Sequence, residues 1–164
     1  MTHLEYINYM QSLADNLNGL NDFFRIDLTE IRQGFRSGVQ MPCMALESYE
    51  GDFSQSSIQQ SVNIRTWAFT IFDNPANRDF NDQNQKLSGV EQLGLKILAR
   101  MRKDSLTPGH ILHNLFYVED CRYSKVGPLF TEKLYGYRFV GQFLMHQPLT
   151  VNPEDWQDID TVCS

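Results

Sequence analysis

Cysteine is scarce in this chain and badly placed for chemistry. Cys43, Cys121 and Cys163 are odd in number and far apart, and they form neither a CxxC pair nor a zinc-type spacing. That pattern speaks against a disulfide framework or a structural metal and predicts a reducing, cytosolic setting. No apolar run approaches the roughly 18 residues of a membrane span. The opening stretch MTHLEYINYMQSLADNL lacks the basic and apolar regions of a signal peptide. Positive charge is also short: 14 Lys and Arg face 20 Asp and Glu, for a net charge of -6. A chain this acidic is a poor general binder of nucleic acid. The nucleophile elbow GxSxG, the dinucleotide loop GxGxxG, the Walker A loop and the HExxH zinc helix are all missing.

What is present suits one soluble domain with a real core. The chain has 164 residues, 41% of them hydrophobic. Charge is unevenly placed along it. Residues 1–60 hold eight acids against three bases, residues 61–105 five against seven, and residues 106–164 seven against four. The middle third is therefore the only basic stretch, and acidic ends could complement it in a neighbouring copy. A solvated helix face is the plainer explanation of such a run.

Periodicity sketches the elements. Leu4, Ile7, Met10, Leu13, Leu17 and Leu20 recur at helical spacing over residues 3–20, behind a Thr2/Glu5 capping box. Phe23, Phe24 and Ile26 suit a short extended piece, and Asp27 with Glu30 predicts a helix of two turns over residues 28–36. Residues 41–53 and 61–72 read as two strands joined by the polar tip SQSSIQQS. From Trp67 onward both faces are apolar, as in a strand buried on both sides. A long β-hairpin follows, rooted in the core at Met44, Leu46 and Ala68 to Phe72, and projecting outward at its tip.

Asp79 caps the longest helix, over residues 80–103. Phe80, Leu87, Val90, Leu93, Ile97 and Met101 form its apolar stripe, and Gly89 and Gly94 predict close packing against another element. Residues 113–123 read as a third strand, with a loop or bulge around Gly127 and Pro128. Residues 134–147 read as a fourth, with Tyr135, Tyr137, Phe139, Phe143 and Met145 on one face. That stripe suits a core face better than a base-stacking surface. Residues 1–150 then form a single α+β domain of order α-α-β-β-α-β-β. It has a mostly antiparallel four-stranded sheet with a projecting hairpin, packed against the long helix and the N-terminal helix. Residues 151–164 form an acidic tail in which Trp156 could act as an anchor.

The search for chemistry gives no site. His110 and His113 follow Pro108-Gly109 and read as solvated loop histidines. Glu119 and Asp120 are adjacent, and in a strand they would point to opposite faces. GFRSG reads as a helix stop rather than an anion loop. No catalytic, cofactor or metal residue is assigned, no cofactor is expected, and the chain is expected not to be an enzyme.

The stretches SGVQMPCMALESYEGDF, VNIRTWAFTIFD, the helix from Phe80 to Lys103, and LYGYRFVGQFLMHQPLTVNPEDW together resemble the tail terminator (tail completion) proteins of tailed bacteriophages and prophages. The likeness spans most of the chain and lies in element order. It implies a structural virion protein, made in the bacterial cytoplasm and located in the virion tail. There it would form a homo-oligomeric ring, a hexamer, that caps the tail tube and helps join it to the head. Its partners would be further copies of itself, the tail-tube protein and head–tail joining proteins, with no membrane. Phe53, Gln55, Ile58 and Gln60 at the hairpin tip, and Arg100, Arg102 and Lys103 on the long helix, are the contact residues this suggests. A head–tail connector or minor tail protein is the alternative, and a small cytosolic ligand-binding domain or enzyme a third.

Overall fold

The computed structural model describes residues 1–26, 38–57, 60–76, 79–130 and 133–158. The fold is α+β, as expected. Among the described residues two α-helices lie on one face of a mixed six-stranded sheet. The helices are α1 (His3–Asp15) and α2 (Phe80–Ser105). The strands are β1 (Asp22–Ile26), β2 (Cys43–Glu47), β3 (Glu50–Ser57), β4 (Gln60–Asp73), β5 (Arg122–Leu129) and β6 (Leu134–His146). The sheet order is β1-β2-β4-β6-β5, with β3 also paired to β4. All pairs are antiparallel except β1 with β2.

Local signals start the helices where the sequence placed them. Thr2 and Glu5 form the reciprocal capping box of α1. The helix closes at Asn16 rather than running to residue 20, and Gly19 takes a left-handed φ of +93° in the turn that follows. Asp79 caps α2 by accepting from the amides of Asn81 and Asp82. Leu87, Val90, Leu93, Ile97 and Met101 are buried against the sheet. Phe80 leaves the stripe and is 77% exposed. The two helical glycines part company. A Cβ on Gly94 would lie 2.0 Å from the Phe139 ring, so α2 rests directly on β6 there. Gly89 faces open space.

Among the described residues six strands replace the four expected, for two reasons. Asp22–Ile26 pairs in parallel with β2 and adds an edge strand. The first limb of the hairpin is also broken. Leu46 pairs with Phe69 and Glu50 with Thr66, so the first limb spends four residues where β4 spends three. This one-residue bulge reverses the side-chain alternation, and no hydrophobic period announces it. It sends Tyr49 toward the helices, where its ring meets Tyr6 at 5.5 Å. The helix expected over residues 28–36 lies outside the described residues.

The third strand also moves. Residues 113–121 are turns instead, because Asn114 adopts φ 58° and Val118–Asp120 is a 3-10 turn. Of that stretch Phe116 bridges to Phe143 of β6, and the Leu115 carbonyl accepts from the Leu144 amide. The strand proper is β5, and the expected bulge at Gly127-Pro128 sits within it, as a register shift between Val126 and Leu129.

Trp67, Phe69 and Ile71 of β4 and Phe139 and Phe143 of β6 face α1 and α2, with rings stacked or tilted at 5.1 to 5.9 Å. The aromatic stripe of β6 is thus core, although Tyr135 and Tyr137 stay only half-buried. A smaller cluster on the opposite face gathers Phe24, Ile26, Cys43, Ala45, Phe72 and Leu134. Burial, helped by Asp22, pushes the Cys43 thiol up to about 12.

Candidate functional site

Two surfaces of the molecule could engage something else. The first is the outer half of the hairpin. Strand β3 pairs with β4 from Glu50↔Thr66 to Ser57↔Gln60, and only residues 58 and 59, outside the described residues, separate the two strands. The hairpin is less isolated than expected, because β6 follows β4 out to Val62↔His146. The pairing then extends through the Gln147 amide to the Ser61 carbonyl, and the Ser61 hydroxyl bonds the Gln147 carbonyl. What projects is a three-stranded ribbon, β3-β4-β6, with β3 at its rim.

Residues Glu50 to Ser54 of that rim are all exposed, and Phe53 is 57% exposed. Among the described residues no strand pairs with the other edge of β3. On β4 the helix-facing side turns polar at the same place, with Asn63 and Arg65. The Arg65 guanidinium lies over the Tyr49 ring at 4.7 Å and donates to the Met1 carbonyl, tying the start of α1 to the ribbon. Of the contact residues named from sequence, Phe53 pairs with Asn63, Gln55 with Ser61 and Gln60 with Ser57 along the β3–β4 register. Ile58 lies outside the described residues.

The second surface is a groove of about 340 Å³ between α1 and α2. Leu13, Leu17 and Ile97 give it an apolar floor, and Lys96, Arg100 and His110 a basic rim. At one end sits a buried carboxylate, Asp104. The Tyr9 hydroxyl donates to its Oδ2 at 2.9 Å, and Arg100 Nε donates to both oxygens at 2.9 and 3.0 Å. Burial first, and the bond to Asp104 second, raise the Tyr9 hydroxyl well above the ordinary phenol range.

His110 joins this cluster instead of standing free in a loop. Its ring meets Tyr9 edge-on at 5.4 Å, and Nε2 lies 3.8 Å from Asp104 Oδ2. The Leu112 amide donates to Nδ1 at 3.2 Å, so in the neutral ring the proton is on Nε2, toward the carboxylate. His113 is elsewhere, with Nδ1 3.4 Å from the Ser105 carbonyl. Among the described residues no three His, Cys, Asp or Glu side chains gather as metal ligands. Glu119 and Asp120 are both exposed on the 3-10 turn.

The basic trio of α2 is therefore divided. Arg100 belongs to the groove and is committed in part to Asp104, while Arg102 and Lys103 are exposed in the last turn. Sequence reasoning missed Tyr9, Lys96 and Asp104. One signal was available: Asp104 follows Ile97 and Met101 at spacings of four and three, a carboxylate on an apolar stripe, which demands a partner.

No helix among the described residues is long and apolar enough to cross a membrane. Neither a scan against protein-family models nor a search of curated proteins returns a match for this chain.

Proposed function

We propose that this chain is a ring-forming structural protein of the phage tail terminator kind, which caps a tail tube and presents a surface for joining the head. The observation that carries this reading is the exposed rim of the ribbon. Strand β3 offers backbone donors and acceptors along its outer edge, and Phe53 stands in solvent beside them. Such an edge is a ready template for another chain, and monomeric proteins usually blunt or cover it. In a closed ring each copy would present this edge to a different surface of its neighbour, a head-to-tail contact that repeats until the circle closes. The order helix, hairpin, long helix, hairpin, acidic tail is the one the terminator resemblance implies.

The register supplies the test. Replacing residues 55–61 by Asn-Gly keeps the Ser54↔Val62 pair and turns the hairpin early, with a two-residue loop suited to it. Native mass spectrometry of the unaltered chain should show a closed oligomer, alone or once purified tail tubes are added. The shortened variant should keep the unaltered melting temperature and lose assembly. A chain that is monomeric at high concentration and ignores tail tubes would sink the proposal.

A further inference from the structure

The groove between α1 and α2 has an apolar floor, a basic rim and no role in the hairpin contact. The C-terminal segment has the opposite character. Residues 151–164 carry Glu154, Asp155, Asp158 and Asp160 and not one Lys or Arg. Among its described residues Val151 is exposed and Trp156 is 58% exposed, and Leu149 just before it is exposed as well. A tryptophan flanked by carboxylates is costly to leave solvated and is a common anchor when it finds an apolar slot.

We propose that the α1–α2 groove receives the C-terminal segment of a second copy of this chain. The Trp156 indole would lie over Leu13, Leu17 and Ile97, and the carboxylates beside it would face Lys96 and Arg100. Lys96 is exposed at the rim. Arg100 spends Nε on Asp104, and a guanidinium has five donors, so it can hold a second carboxylate. Asp104 does not repel the incoming acid outright, since Tyr9 and Arg100 already bond it and it is buried. Every copy carries one groove and one segment, so the contact is head-to-tail, as a ring requires. The inference rests on the self-association in the reading above and not on a role in any phage.

Charge reversal with mixing tests it by sedimentation velocity. Lys96→Glu spoils the groove and leaves the segment intact; Glu154→Lys with Asp155→Lys does the reverse. Both changes are at exposed positions, and unchanged thermal melts would show that folding is intact. Each variant alone should self-associate about tenfold more weakly than the native chain. An equimolar mixture should recover association, because the acidic segment of one variant then meets the basic groove of the other. If Lys96→Glu associates as the native chain does, or if mixing restores nothing, the docking is wrong. Should the native chain associate while both variants are unaffected, the groove proposal falls and the ring stands. A native chain that never associates, with or without purified tail tubes, overturns both.

Discussion

Strand β4 is two strands in character. From Trp67 to Phe72 every residue is buried, with Trp67, Phe69 and Ile71 against the helices and Ala68, Thr70 and Phe72 on the other face. From Val62 to Thr66 only Asn63 is buried, and the partner strand changes from the interior β2 to the rim strand β3. The backbone pairing is equally regular in both halves. What differs is what the side chains have lost to water, and that decides which half holds the fold and which is free to meet a neighbour. A strand can thus be core at one end and partly exposed at the other without any break in its own hydrogen bonding.

The sharpest probe of this contrast is thiol reactivity. With Cys43 raised to about 12, its thiolate at pH 8 is on the order of a thousandfold scarcer than that of an ordinary exposed cysteine. In native protein Cys43 should resist Ellman's reagent, whereas Ser54→Cys, on the exposed rim, should react at once. Comparable rates would mean that the root of the hairpin opens readily. Next in size, Phe69→Ala removes a fully buried ring and should cost about 3–5 kcal/mol in chemical denaturation. Gly94→Ala puts a methyl where the Phe139 ring already lies, and an expected loss of about 1–3 kcal/mol should appear as a lower Tm.

Gly89→Ala, five residues earlier on the same helix but in open space, should instead raise stability by up to about 1 kcal/mol through helix propensity alone. If both glycine changes destabilise, α2 is packed more closely at its start than described. Smallest of all, Phe53→Ser should move stability by less than about 0.5 kcal/mol while weakening any assembly built on the β3 edge. A large stability loss there would place Phe53 in the core half after all.

Much of the fold was legible because the strongest local signals agree with the final packing. The Thr2 and Asp79 caps, the α2 stripe from Leu87 to Met101, and the alternation of β6 each point to the element that forms. Residues 113–121 misled because Leu115, Tyr117 and Cys121 happen to alternate, while the left-handed turn at Asn114 leaves no hydrophobic trace. Strand β1 was too short for its period to reveal a parallel partner some twenty residues away. The groove was least legible. Its members Leu13, Leu17, Lys96, Ile97, Arg100 and His110 come from three separated segments and meet only once α1 and α2 lie side by side. The β3–β4 hairpin, being continuous in sequence, could be outlined in advance.

The extra residue between Leu46 and Glu50 has a consequence for what this surface shows. Because it resets the alternation, β3 shows Phe53 to the helix side and Asp52 and Ser54 to the other. Losing one residue near Ser48 would roll the rim strand over, exchanging those two sets wholesale while the root beneath kept its pairs. Chain length at a single point thus decides which set of side chains the rim turns to each face, with no substitution anywhere in the strand.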